Sequence, residues 1–156
     1  MIGERHGYAV FKLGIGLNTG SLMLGTIGES HRMDGTVISD AVNLAARIES
    51  LTKTYGVGIL ISQNTYDQLS DPKAFSIRPI DVVVVKGKTK PVTIMEVFDR
   101  NPPAEREAKS RTRDLLQAGV EALSRRDIAA ARRLFEQCLA LVPGDPAATN
   151  LLKCCA

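Results

Sequence analysis

From Asp40 to Leu51 the chain places Ala41, Leu44, Ala45, Ile48 and Leu51 at the spacing of one helix face. Such a stripe is continuous only on a helix, and Asp40 is suited to cap its first free N–H groups. Asn43 and Arg47 stand four residues apart, so both project from the same side of that helix, off the buried stripe. One is an amide with donors and an acceptor; the other is a permanent cation with a planar fork of donors. On an ordinary helix the pair amounts to a solvated amide and an ion-paired arginine. At a reaction site the same pair offers fixed donors where negative charge develops, which phosphoryl chemistry requires. The neighbouring residues decide between these.

Upstream, Phe11, Leu13, Ile15 and Leu17 alternate with Lys12, Gly14, Gly16 and Asn18, the period of a half-buried strand. Asn18-Thr19-Gly20 has turn chemistry, and Ser21 to Ile27 reads as the returning strand. The glycines at 14, 16, 20, 25 and 28 are not followed by the Lys-Ser/Thr of a phosphate-cradling loop, and read mostly as turns or close backbone approaches. Downstream, Val57 to Ile61 is a short apolar strand. Ser62 predicts an N-cap for a helix over Gln63 to Leu69, which Asp71-Pro72 ends. Phe75 to Ile80 reads as an edge strand, since Pro79 would remove a ladder donor from a central one. Val82 to Val85 and Val92 to Phe98 are the last strands, and the loop between them carries Lys86, Lys88 and Lys90. Short strands, hairpins and two helices place residues 1–100 in the α+β class with a mainly antiparallel sheet.

Residues 101–110 are polar, contain Pro102 and Pro103, and read as a linker. Helical spacing then resumes over 111–156. Leu115, Ala118, Gly119, Ala122 and Leu123 form one stripe, Arg126-Asp127 a break, and Ala130, Ala131, Leu134, Phe135, Cys138 and Leu139 a second stripe. This predicts a C-terminal α-helical hairpin. Gly119, Ala131, Phe135 and Pro143 resemble the signature of one tetratricopeptide repeat. A single repeat cannot bury a continuous core, so the tail is expected to pack on the preceding domain or to meet a protein partner.

With 156 residues, 44% of them hydrophobic, the chain can bury one core and a small appendage. A net charge of +3 is too small to argue for nucleic acid or a membrane surface as partner. Cys138, Cys154 and Cys155 are odd in number and lack zinc spacing, which predicts a reducing, cytoplasmic setting. No stretch reads as a signal peptide or a membrane span, which leaves open an anchor in a larger parent chain.

The flanks of the central helix carry a resemblance. GESHRMDGTVISDAVNLAARIE, residues 28–49, resembles in one register the C-terminal half of a class III adenylate/guanylate (nucleotidyl) cyclase catalytic domain. GIGLNTGSLMLGTIG, residues 14–28, resembles that family's paired strands, and VKGKTKPVTIMEV, residues 85–97, its closing hairpin. The resemblance implies a ferredoxin-like sheet packed by helices. It also implies conversion of ATP or GTP to a 3′,5′-cyclic nucleotide and pyrophosphate in cyclic-nucleotide signalling, with two magnesium or manganese ions held by two aspartates. On this resemblance Asn43 orients the ribose and Arg47 stabilises charge on the α-phosphate. Lys86 or Lys88, the choice being open, approaches the terminal phosphates. Thr36 falls at the base-selecting position, where a threonine hydroxyl accepts from the adenine amino group and favours ATP. Asp40 is expected to be structural, as the helix cap, and no metal ligand is expected in this chain.

Two departures stand out. Gly35 replaces the family's usual Tyr, and Ser39 its usual Gly. The metal aspartates and the base-selecting lysine belong to the family's N-terminal half, in a stretch of the form F-x-D-I-x-x-F-T, which these residues do not contain. The sequence therefore predicts a partial domain, inactive alone, that completes a site with a homodimer partner or a complete cyclase subunit. The alternative is a non-catalytic regulatory or protein-interaction module derived from a cyclase domain.

Overall fold

The computed structural model describes residues 12–27, 34–84 and 91–156. In chain order the elements are β1 (Ile15–Leu17), β2 (Met23–Ile27), β3 (Asp34–Ile38), α1 (Asp40–Tyr55), β4 (Ile59–Ser62), α2 (Gln63–Tyr66), β5 (Ile77–Val83), β6 (Val92–Val97), α3 (Pro103–Ser124), α4 (Ile128–Leu141) and α5 (Pro146–Lys153). Four strands form one sheet in the order β1-β4-β6-β5, with β1 and β4 parallel and the other two pairings antiparallel. Strands β2 and β3 form a separate antiparallel ribbon with Gly25 opposite Thr36. The sequence suggested that β2 would return beside β1. Instead β4 pairs with β1 after the α1 crossover, and β2 matches β3 over five positions where β1 offers only three residues.

Helix α1 lies directly on the backbone of β1. A Cβ at Gly16 would fall 2.2 Å from the Glu49 N and 2.7 Å from the Ala45 O, and one at Gly14 would fall 2.1 Å from the Thr52 Oγ1. Those glycines are therefore close-approach positions that a side chain would prise open. The helix buries Leu44, Ile48 and Tyr55 in one cluster with Leu60, Ile80 and Ile94 of the sheet. Its cap is Ser39, not Asp40. Ser39 has the extended backbone an N-cap needs, and its Oγ accepts from the Ala41 N at 2.9 Å, while Asp40 already belongs to the first turn. Gly56 ends α1 in the left-handed region at φ 65°, where glycine carries no steric penalty.

Further along, Ser62 caps α2 through the Thr65 N at 3.2 Å, but the helix is a single turn and does not reach Leu69. None of its residues is fully buried, so packing gives it no reason to extend. The two strands expected between Phe75 and Val85 are one edge strand, β5, whose register against β6 shifts between Pro79 and Asp81. That irregularity absorbs the proline, which cannot donate to the ladder.

The segment expected as a linker is helical from Pro103 onward. Proline at a first helical position loses no hydrogen bond and has its φ preset, so Pro102-Pro103 starts a helix as readily as it marks a loop. Six residues later Lys109 is buried, and its Nζ donates to the Glu96 Oε1 of β6 at 2.5 Å. The Glu96 Oε2 accepts from the Arg78 Nε of β5 at 2.6 Å, and Arg78 makes a two-pronged pair with Asp145, which also caps α5. Two cations and two anions are thus buried together across β5, β6, α3 and α5. Gly119 of α3 meets the Phe135 ring of α4, where an added Cβ would fall 2.4 Å from a ring carbon. Cys138, buried in α4, has its thiol pushed up to about 11 by burial and by the Asp145 charge. Cys138, Cys154 and Cys155 are free cysteines. Among the described residues no helix is long and apolar enough to cross a membrane.

Burial alone would raise the Asp145 carboxyl, but hydrogen bonds from Arg78 outweigh it and hold it below the usual range. A depressed carboxyl stabilises the fold above its unfolded pKa of about 4, and that contribution fades as pH falls through its folded value. Urea titrations should therefore show wild-type stability declining below about pH 4, and declining less over that interval in Asp145→Asn. At pH 7 Arg78→Ala, which strands Asp145, should cost about 3–5 kcal/mol. In the same assay Gly16→Ala should cost about 1–3 kcal/mol through overpacking. Gly58→Ala, with nothing within 4 Å of the added Cβ, should leave the midpoint nearly unchanged.

Candidate functional site

At the N-terminal end of α1 a cleft of about 470 Å³ opens between the helix, the segment after β1 and the start of α2. Asn43 lines it together with Asn18, Ser39, Asp40 and Asn64. The cleft owes its floor to local chemistry. Ser39 caps α1 and also donates from its Oγ to the Ser21 O at 2.9 Å, tying the helix start to the chain entering β2. At Gly20 an added Cβ would fall 2.8 Å from the Ala41 Cβ, so this turn too rests on α1. Ser39, the departure from the family's glycine, thus both caps and tethers.

Arg47 lies one turn beyond Asn43 on the same exposed side of α1. Its Nη1 donates to the Val84 O at 2.8 Å, just past the end of β5. That bond uses one of five guanidinium donors and fixes where the fork stands. The ion pairs formed among the described residues do not include Arg47. The carbonyl it grips immediately precedes residues 85–90, and Lys86 and Lys88 lie outside the described residues. Thr36 sits in the middle of β3, on the ribbon and not on the helix. The fold therefore sets Asn43 in the cleft and Arg47, one turn further along α1 and outside the cleft lining, beside the end of β5, and it places Thr36 on a separate element.

Deeper in the structure Tyr55 donates its phenol to the Asp81 Oδ2 at 2.9 Å, and burial followed by the Asp81 charge pushes the phenol well up. It therefore stays neutral and serves packing. In sequence, Asn18 has the chemistry of a turn residue. Its signal was visible as the side chain that interrupts the alternating row Gly14, Gly16, Asn18, Gly20.

The model of the adenylate and guanylate cyclase catalytic domain matches residues 3–96. An adenylate cyclase of Anabaena cylindrica is 51% identical over 86 residues, covering 54% of this chain and 17% of that protein. The terminal-differentiation-specific adenylate cyclase of Dictyostelium discoideum is 35% identical over 149 residues, covering 94% of this chain and 7% of that protein. The latter similarity runs beyond residue 96 into the C-terminal helices. Among solved structures, the adenylyl cyclase CyaB from P. aeruginosa superposes with a TM-score of 0.42 at 39% identity, covering 54% of this chain and 41% of that one. The chain thus spans only a small part of the curated relatives it matches. With the family model covering well over half of its residues, this chain belongs to the adenylate and guanylate cyclase catalytic domain family.

Proposed function

We propose that the chain is the C-terminal part of an adenylate cyclase catalytic domain, contributing the nucleotide-orienting side of a site that forms cyclic AMP and pyrophosphate from ATP. The observation that carries this reading is the placement of Asn43 and Arg47 one turn apart on α1, with the Arg47 fork held by the Val84 carbonyl beside the 85–90 loop. Asn43 orients the ribose. Arg47 presents donors where charge builds on the α-phosphate. Lys86 or Lys88 meets the terminal phosphates, and Thr36 accepts from the adenine amino group. Both relatives named above are adenylate cyclases, which supports ATP over GTP.

Magnesium or manganese belongs to this chemistry, but the residues described here do not fit it. Among the described residues lining the cleft the one carboxylate is Asp40, where the chemistry needs two. We assign the metal ligands to another half, supplied in cis or by a homodimer partner or complete cyclase subunit. In the tail, the contact of Gly119 with Phe135 supports reading α3 and α4 as one tetratricopeptide-like repeat.

The chain by itself, incubated with ATP and either magnesium or manganese, should yield no cyclic AMP above a no-protein blank; clear turnover would overturn the assignment of the metal ligands elsewhere. When it is joined to a half that supplies the aspartates, Arg47→Ala should lower kcat about a hundredfold to a thousandfold with KM little changed. Asn43→Ala should behave similarly, by misorienting the attacking ribose. Thr36→Cys should instead alter the ratio of kcat/KM for ATP and GTP. An Arg47→Ala variant that is folded and fully active would reduce Arg47 to a surface cation and end this reading.

A further inference from the structure

We infer that Asn18 is a positioning residue for the Asn43–Arg47 face, an inference that rests on the functional reading above. Residues 14, 16, 18 and 20 alternate along and just beyond β1, and the three glycines among them have α1 atoms within 3 Å of where a Cβ would stand. Asn18 is the one position in that row with a side chain. Its Nδ2 donates to the Ala41 O at 3.0 Å in the first turn of α1. Its Oδ1 accepts from the Ser62 Oγ at 2.7 Å, and the Asn64 Nδ2 approaches the same oxygen at 3.4 Å. One amide therefore joins the end of β1, the start of α1 and the junction of β4 with α2.

The chemistry at both ends suits this residue type. The Ala41 carbonyl, in the first turn of α1, takes the Asn18 amide as a donor beside its intrahelical one, and the Ser62 hydroxyl, fully buried, donates to an acceptor while its own oxygen caps α2. A planar amide supplies donor and acceptor on opposite sides at a fixed separation. Aspartate keeps the acceptor but sets a carboxylate against the Ala41 carbonyl. Serine is too short to reach both. Asn43 follows Ala41 by two residues, so the anchored carbonyl and the ribose-orienting amide share one helical turn. Arg47 is held at its far end by the Val84 O. The stretch from Asn43 to Arg47 is thus clamped at its start by Asn18 and at its end by β5, and the glycine row keeps the helix close enough for the first clamp to form. A site that needs donors placed to a fraction of an ångström depends on such a clamp, because a shift of about 1 Å costs on the order of a hundredfold in rate.

The test has two arms. On the intact chain, nuclear magnetic resonance of the Asn43 side-chain amide and the Arg47 Nε–H reads position without any turnover. Asn18→Asp should move both resonances. Phe135→Leu, which weakens the tail core by a comparable or greater amount, should leave them in place. In the second arm the chain is joined to a half carrying the metal aspartates. There Asn18→Asp should lower kcat by tens to about a hundredfold with KM for ATP unchanged, and Phe135→Leu should leave both constants unchanged. Unmoved Asn43 and Arg47 resonances in folded Asn18→Asp overturn the inference whatever the activity. Loss of turnover in Arg47→Ala but not in Asn18→Asp overturns it as well and leaves the functional reading standing. Full turnover in Arg47→Ala removes the functional reading itself, and with it any catalytic consequence of Asn18.

Discussion

The buried cluster of Arg78, Glu96, Lys109 and Asp145 is the interaction on which the arrangement of the whole chain depends. Removing four charges from water costs several kcal/mol each, and only close pairing with satisfied hydrogen bonds returns it. Here the sum of charges is zero, each carboxylate oxygen has a partner, and the Phe98 ring lies 5.8 Å from both cations. An apolar substitute of equal volume could stabilise the junction as well. The ionic version differs in selectivity: only one placement of α3 and α5 on β5 and β6 pairs all four groups. Sliding either helix by a turn would leave a buried charge alone. The cluster joins strands inside the segment matched by the cyclase family to helices outside it, which makes the tail part of the same hydrophobic core and not a tethered appendage.

A second constraint acts at the other edge of the sheet. The backbone-to-backbone approach of α1 on β1 is possible because Gly14 and Gly16 present no side chain on that face. Close approach brings the polar start of α1 to the level of Asn18 and Ser62, and so creates the cleft. The two contacts divide the labour. The ionic cluster sets where the hairpin of β5 and β6 stands, the glycine face sets where α1 stands, and the bond from Arg47 to Val84 links them at the point where the candidate site lies.

The common side of Asn43 and Arg47 on α1 was legible in the sequence, because its signal is local. Asn43 and Arg47 are four apart beside an apolar stripe whose period alone predicts a helix, and their common side follows from that period. Thr36 lies on β3, and no local rule says how a ribbon stands relative to a helix. Ser39 displaced Asp40 as the cap for a reason sequence does not display. Both side chains can cap, and the choice is made by which residue has extended backbone at the bend out of β3.

The elements carried by short-range chemistry were readable before any fold was known: the α1 stripe, the cap at Ser62, the edge character forced by Pro79, and the two apolar stripes of the tail. Each follows from spacing, propensity or a missing donor within a few residues. Only the tertiary structure decided the pairing of β1 with β4, the helical start at Pro103, and the function of Asn18 as a bridge. Strand pairing depends on which edge is free once α1 has docked. The helix that begins at Pro103 is anchored six residues on by Lys109, which pairs with Glu96 on the preceding strand β6, 13 residues away. Asn18 reads as a turn residue until Ala41 and Ser62, 23 and 44 residues away, are brought to its two ends. In each case the deciding partner lies outside the local window, and for β1 and Asn18 it is tens of residues away.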